Sequence, residues 1–253
     1  MANETLRSHV GAPGLGATER SDRWWLAPAA GAVGLAVFVV YSTWAALAGN
    51  DYRFGPYLSP FYSPYLRPAW FPLSGSLLVL WVPLGFRLSC YYYRKLYYRS
   101  YFLSPPACDV SEPTRTYTGE TAVPLKYFPI VHRWFLYLSI LVLLWLWVDA
   151  LRAFDFGGHI GIGIGTVVMV TNVVLLSGFT FGCHALRNAV GGNVRCFSCA
   201  RYGNLRYGAW HAVTGLTMRH QTWAWLSLYG VGLTDLYIRL CAMGVIHDAR
   251  LIW

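Results

Sequence analysis

Residues Trp24 to Ala48 read WWLAPAAGAVGLAVFVVYSTWAALA, a run of apolar and small residues that contains no charged side chain. An α-helix rises about 1.5 Å per residue, so a helix of this length can cross the hydrocarbon core of a bilayer, which is about 30 Å thick. The sequence therefore predicts a transmembrane helix near the N-terminal end of the chain.

The composition of the whole chain agrees with a membrane location. Of its 253 residues 56% are hydrophobic and only 12% are charged, against roughly 25% charged in an ordinary soluble domain. This leaves too little polar surface for a water-soluble globule. The net charge of +9 does not indicate nucleic acid, because the basic residues alternate with Tyr and Trp at the ends of apolar runs. That arrangement is typical of contact with membrane lipids and a docking partner.

Four more apolar runs follow, and with the first they predict an all-α integral membrane bundle of five transmembrane helices. The second run starts near Phe71 and becomes basic and aromatic after Phe86, in RLSCYYYRKLYYRSYF. The other three extend from about Tyr127 to Leu151, from about His159 to Asn188 and from about Thr217 to Val245. Prolines forbid a regular helix between the first two spans, so residues 50–72 are predicted to form an ordered interfacial loop.

The distribution of Lys and Arg predicts the orientation of the bundle. Three of the 20 lie in the N-terminal tail, seven between spans two and three and five between spans four and five, which places 15 on one side and five on the other. Basic residues favour the cytoplasmic side, so the N-terminus is predicted to be cytoplasmic. Residues 1–23 are accordingly interpreted as a cytoplasmic tail and residues 24–253 as a five-helix membrane-anchor domain.

Cysteine and histidine are concentrated at the cytoplasmic ends of the predicted spans. The stretch from Phe181 to His220 holds three of the six cysteines and three of the seven histidines. Counting along each span places further candidates, among them His132, at the same membrane depth. Thiolate and imidazole bind iron, zinc and copper, so a metal site is predicted here. The candidate ligands are Cys90, Cys183, His184, His220, Cys196 and Cys199.

Several interpretations of these ligands stay open from the residues alone. Two Cys with two His would suit a Rieske-like [2Fe–2S] cluster, two His from different helices could ligate a haem b, and Cys196 and Cys199 with a histidine could hold a structural zinc. A metal-free passive anchor is the other alternative, because cysteine in an apolar helix often packs as a small hydrophobe. Five of the six cysteines fall on the predicted cytoplasmic side, where thiols are expected to stay reduced.

Two further groups are predicted to have structural roles. Asp235 and Arg239 stand four residues apart in the last span and should form an ion pair on one helix face. The tyrosines that follow Cys90 are expected to form an aromatic belt at the membrane interface.

Six short motifs occur in the order CYYYRK, SPPAC, HRWFLYL, GCHALRN, MRH and TDLYIRL. With these motifs the chain resembles, from about Trp24 to Trp253, the cytochrome b-like membrane-anchor subunit of the succinate dehydrogenase and fumarate reductase superfamily, in its single-chain, five-span, actinobacterial form. The resemblance implies a subunit of succinate dehydrogenase (quinone) in the bacterial plasma membrane. It also implies that an iron–sulfur subunit and an FAD-containing flavoprotein subunit dock at the cytoplasmic face. The chain alone is not expected to oxidise succinate.

The same resemblance implies reduction of a quinone, menaquinone or ubiquinone, near that face. Reduction consumes protons as well as electrons, so the site needs polar donors beside an apolar slot. The residues predicted for it are His132, Arg133, Trp134, Tyr91 and Arg94. Family members that carry haem take axial histidines from several helices, including the first two, whereas the first two spans here contain no histidine. This departure argues against two haems and favours the [2Fe–2S] cluster over a single haem b.

Overall fold

A computed structural model describes residues 14–113 and 125–252 of the chain. Most of the predicted cytoplasmic tail, residues 1–13, lies outside the described residues, as do residues 114–124 of the predicted loop between the second and third spans. The domain boundary after residue 23 therefore stays a prediction.

The described residues are mostly helical, which confirms the predicted all-α class. The helices are α1 (Leu26–Ala48), α2 (Leu77–Ser89), α3 (Tyr91–Phe102), α4 (Phe128–Arg152), α5 (Ile164–Phe181), α6 (His184–Arg187), α7 (Gly203–Thr217) and α8 (His220–Ala242). Two short antiparallel strand pairs lie outside the helices, β1 (Arg53–Phe54) with β2 (Tyr57–Leu58) and β3 (Gly161–Gly163) with β4 (Arg250–Ile252). A 3-10 turn, Pro60–Tyr62, lies within the proline-rich segment that was predicted to be an ordered loop.

Three of the helices, α1, α4 and α5, are long and apolar enough to cross a membrane by length and composition. The helix in the second predicted span, α2, has only 13 residues. The helix in the fifth, α8, has 23 residues but buries several polar side chains. A bundle of five spans and a cytoplasmic N-terminus consequently stay predictions.

The second predicted span is two helices and not one. Its helix α2 begins at Leu77, six residues later than predicted, and ends at Ser89. Cys90 then adopts an extended conformation, with φ −66° and ψ 134°, before α3 starts. The Ser89 hydroxyl donates back to the carbonyl of Gly85 at 2.6 Å, and such local bonds compete with continuation of the helix.

The fourth and fifth predicted spans are also shorter than expected. Residues 159–163 do not join α5, because this glycine-rich segment forms β3 and pairs with β4 near the C-terminus. Helix α5 ends at Phe181, so Cys183 and His184 follow a break at Gly182 and do not continue a span. The last helix starts at His220, not Thr217, because the chain turns between α7 and α8.

The chain divides into two compact units. The first comprises Met1–Val37 and Tyr91–Tyr127. In it the N-terminal part of α1 packs closely on α3, since a Cβ added to Gly31 would lie 2.4 Å from a methyl carbon of Leu96. The Tyr101 hydroxyl donates to the carbonyl of Ala32 at 2.6 Å.

The second unit comprises Phe38–Cys90 and Phe128–Trp253, and it contains α2, α4, α5 and α8. One face of α4 is buried, with His132, Leu136, Ser139 and Leu143 recurring every three or four residues as expected for a helix packed along one side. Helix α4 contacts both α2 and α5, and α5 contacts α8. This unit carries all the predicted metal ligands.

Candidate functional site

The first Cys–His pair joins α4 to the break after α5. The Nε2 atom of His132 lies 3.1 Å from the sulfur of Cys183, while its Nδ1 atom lies 3.0 Å from the Ser89 hydroxyl. Cys183 caps α6, and its sulfur also accepts the backbone N–H of Ala185 at 3.3 Å. His132 and Cys183 are both buried, with 9% and 1% exposure. The two contacts of His132 therefore fix the direction in which each ring nitrogen points.

The second Cys–His pair joins the end of α2 to the start of α8. The sulfur of Cys90 lies 3.7 Å from the Nε2 atom of His220, and each residue is 2% exposed. The ring of His184 stands nearly perpendicular to that of His220, with centroids 6.0 Å apart. We call these five residues, Cys90, His132, Cys183, His184 and His220, the Cys/His group.

Two phenylalanine rings pack on this group. Phe86 stacks on His132 with centroids 4.6 Å apart, and Phe179 stacks on His220 at 5.0 Å. The two phenylalanines contact each other at 5.3 Å. Both imidazoles are thus held against apolar surfaces.

The sequence prediction missed several of the neighbours that position the group. Ser89, Phe86 and Phe179 were not predicted, although Ser89 directly precedes Cys90. Arg87 is a further neighbour, whose guanidinium lies 4.7 Å from the centre of the Phe179 ring and donates to Ser227 at 3.0 Å. The positively charged guanidinium of Arg87 therefore lies beside the Cys/His group.

The C-x-x-C motif has a different structure from the one predicted. Cys196 and Cys199 form a disulfide, with Cα atoms 5.4 Å apart, so the expectation of reduced thiols on this side is wrong for this pair. A two-residue spacing brings the Cα atoms within the range that a disulfide spans. Both residues are exposed, whereas Cys90 and Cys183 are buried cysteines outside the disulfide.

The donor chemistry of the Cys/His group fits an iron–sulfur cluster with mixed ligands. Among residues 14–113 and 125–252, no three His, Cys, Asp or Glu side chains are grouped so that they could hold a metal ion. A Rieske-type [2Fe–2S] cluster does not need three protein ligands at one ion, because two Cys ligate one of its irons and two His ligate the other. Two buried thiols and three imidazoles supply that donor set.

The residues predicted for quinone are divided between the two units. In the second unit His132 belongs to the Cys/His group, Arg133 donates to the side chain of Asn188 at 3.0 Å, and Trp134 is 67% exposed. In the first unit Arg94 is buried, and its guanidinium lies 6.0 Å from the ring centre of Tyr91.

Comparison with known proteins gives a consistent result. Residues 26–244 match the family described as actinobacterial succinate dehydrogenase subunit SdhC. A chain of the Mycobacterium smegmatis Sdh1 complex in the apo form is 41% identical, with a TM-score of 0.81, and the alignment covers 93% of this chain and 94% of that one. A search of curated proteins found no match.

Proposed function

Since the chain belongs to the actinobacterial succinate dehydrogenase SdhC family and is thus a membrane subunit of that oxidoreductase, we propose that its Cys/His group holds a [2Fe–2S] cluster. Cys90, Cys183 and two of the three histidines would be the ligands. The iron–sulfur and flavoprotein subunits would dock on the cytoplasmic side of the bacterial plasma membrane, and the chain would pass electrons from succinate oxidation to quinone near that face.

The observation that carries the proposal is that two buried thiols and two buried imidazoles lie in one unit, with Cys183 beside His132 and Cys90 beside His220. A buried cysteine by itself commonly packs as a small hydrophobe. Two such pairs drawn from four separate segments of one unit are harder to explain by packing alone. When bound, such a cluster would supply a one-electron carrier whose histidine ligands raise its reduction potential.

The protein's own residues orient and shield the donors. Ser89 holds the Nδ1 side of His132, which leaves Nε2 directed at Cys183. Hydrogen bonds of this kind fix the orientation of a ligating imidazole. Phe86 and Phe179 cover the imidazoles and keep water from them. His184 is the third imidazole, and its ring contacts His220.

Of the residues predicted for quinone, Arg133 and Trp134 remain candidates on α4. Trp134 presents an exposed ring, which suits an interfacial position. Tyr91 and Arg94, on α3, remain candidates in the other unit. The quinone that these residues would bind is menaquinone or ubiquinone.

Electron paramagnetic resonance of the reduced, purified complex tests the cluster. A double variant Cys90→Ser with Cys183→Ser should lose a rhombic iron–sulfur signal, together with quinone reduction, and should retain succinate oxidation by phenazine methosulfate. Cys241→Ser is the matched control, because Cys241 is also a buried cysteine outside the disulfide but lies at the far end of α8. The double variant Cys196→Ser with Cys199→Ser should keep the signal, because those sulfurs are bonded to each other.

Two outcomes contradict the proposal. A Soret band that disappears in His220→Ala and His184→Ala, with no rhombic signal from this chain, would identify a haem b in its place. If neither signal is present and quinone reduction survives the double variant, the chain is a passive anchor for its partner subunits.

A further inference from the structure

The side chain of Arg87, near the end of α2, is held by hydrogen bonds to α8. Its guanidinium donates to the carbonyl of Ala224 at 3.3 Å and to the hydroxyl of Ser227 at 3.0 Å. Ala224 and Ser227 are buried, with 3% and 0% exposure, and Arg87 itself is half-buried. The positive charge of Arg87 therefore has a defined position inside the second unit.

The same two helix ends carry Cys90 and His220. Arg87 precedes Cys90 by three residues, and the carbonyl of Arg87 accepts the backbone N–H of Cys90 at 3.1 Å. Ala224 follows His220 by four residues on α8, which is about one helical turn. The hydrogen bonds of Arg87 thus tie together the two segments that bring this sulfur and this imidazole to one place.

A single aromatic ring connects the guanidinium of Arg87 with the imidazole of His220. The Cζ atom of Arg87 lies 4.7 Å from the centre of the Phe179 ring. That ring stacks on His220 with centroids 5.0 Å apart and an interplanar angle of 10°. Because Phe179 and His220 are each only 2% exposed, a charge at Arg87 acts on this part of the group more strongly than it would in bulk water.

The segments that carry the Cys/His group contribute no acidic side chain to it. Residues 52–108, 125–148 and 156–234 contain no Asp or Glu. They include the whole of α2, α5, α6 and α7 and most of α4 and α8. These segments therefore bring basic groups but no carboxylate to the site.

From these observations we infer that Arg87 raises the reduction potential of the [2Fe–2S] cluster without being a ligand to it. This rests on the proposed function, in which the Cys/His group holds the cluster. Reduction would add one electron, supplied by succinate oxidation in the partner subunits, and would convert one Fe(III) to Fe(II) with no ligand bond made or broken. The charge of the site becomes more negative by one, so a fixed positive charge beside it favours the reduced state.

The size of this effect follows from Coulomb's law. Across roughly 10 Å, and at an effective dielectric constant of about 20, one unit charge changes a one-electron equilibrium by about tenfold. A tenfold change corresponds to about 59 mV for a one-electron couple. The higher potential makes the cluster a better acceptor for electrons that come from the partner subunits.

The test is a redox titration of the intact, purified complex at one pH, followed by electron paramagnetic resonance. The signal to follow is the rhombic one that disappears in the double variant Cys90→Ser with Cys183→Ser. Arg87→Gln removes the charge but keeps a side chain that can donate to Ser227, and it should lower the midpoint potential by about 59 mV. Arg87→Lys keeps the charge and should retain most of the wild-type potential.

Arg201→Gln is the matched control for the loss of an arginine that lies over an aromatic ring. The Cζ atom of Arg201 is 5.0 Å from the centre of the Tyr202 ring, but Arg201 is exposed. Water and salt screen an exposed charge, so this variant should leave the midpoint potential unchanged. A shift in Arg201→Gln as large as that in Arg87→Gln would overturn the assignment to Arg87.

The two Arg87 variants separate charge from packing. An unchanged potential in Arg87→Gln, or equal shifts in Arg87→Gln and Arg87→Lys, would overturn the inference. If Arg87→Gln does not assemble, Ser227→Ala, which loosens the guanidinium, should lower the potential by a smaller amount, and an unchanged potential there would also overturn it. Failure of the proposed cluster is distinguishable, because the wild-type complex would then lack the signal, and this inference would fall with it.

Discussion

Arg239 and Asp235 form an ion pair on α8, with 2.8 Å between Nε and Oδ2 and side-chain exposures of 1% and 0%. This confirms the pairing predicted from their spacing. The Tyr41 hydroxyl also donates to Asp235, and the guanidinium of Arg239 donates to the carbonyls of Ala45 and Asn50. The pair thus fastens the end of α1 and the following loop to α8.

Removing one member of this pair should destabilise the chain strongly. Asp235→Ala leaves the guanidinium buried without its counter-ion, and such a change costs about 3–5 kcal/mol. Thermal unfolding in detergent and the yield of assembled complex both measure the loss. Asp22→Ala is the control, because Asp22 and its partner Arg20 have side-chain exposures of 57% and 30%, and loss of an exposed pair costs little stability. An equal loss of stability in the two variants would show that the buried Asp235–Arg239 pair contributes no more than an exposed pair.

Asp248 should make the C-terminal segment sensitive to acid. Its carboxylate accepts hydrogen bonds from the backbone N–H of Gly165 and from the side chains of Tyr237, Tyr57 and Arg250. Burial raises the pKa of this carboxyl, but the four hydrogen bonds outweigh burial and hold its pKa below the ordinary value near 3.8.

The sign of the pH effect follows from that lowered pKa. The stabilisation is fully present above the ordinary value and is lost as pH falls through the lower value of the folded state. Asp248→Asn should therefore unfold more easily than the wild type at pH 7, and the difference should shrink as the pH falls below about 4. Unfolding of both proteins in detergent across this range is the measurement. A difference that stays constant with pH would refute the role of this carboxylate.

Ser89→Ala should weaken the proposed cluster without removing a ligand. Loss of the hydrogen bond to His132 Nδ1 frees the ring to rotate, and losing such a bond behind a metal ligand commonly costs about 10- to 100-fold in metal affinity. Iron retained by the complex against a chelator, followed over time, measures the effect. Ser89→Thr, which keeps the hydroxyl, should retain more iron than Ser89→Ala. Identical retention in the two variants would argue against an orienting role.

Gly182→Ala should disturb the break that positions Cys183. A Cβ at Gly182 would lie 2.6 Å from the carbonyl oxygen of Gly178 and 3.2 Å from that of Leu216, both backbone atoms with little freedom to move. Overpacking of this kind costs about 1–3 kcal/mol. The control is Gly215→Ala on α7, where an added Cβ meets nothing within 4 Å. Thermal unfolding should separate the two variants, and equal stability would show that the end of α5 adapts to the added methyl group.

Much of the fold could be predicted from the sequence because long apolar runs are local properties of the chain. The run from Trp24 to Ala48 became α1, and the run from Tyr127 to Leu151 became α4, with ends displaced by no more than two residues. The breaks at Cys90 and Gly182 were not predicted. They depend on the back-bonding of the Ser89 hydroxyl and on the turn that ends α5, which hydropathy does not record.

The residue types of the candidate site were likewise evident from the sequence, but their pairing was not. Cys183 and His132 are separated by 51 residues and Cys90 and His220 by 130, so only the packing of α2, α4, α5 and α8 decides which sulfur meets which imidazole. The same packing brings the Arg87 guanidinium over the ring of Phe179 beside the Cys/His group. The sequence by itself determined the membrane class, the family and which Cys and His residues are available, because these follow from composition and order along the chain. Only the tertiary structure decided which of those residues form a site, since contacts between distant segments depend on how helix faces fit together.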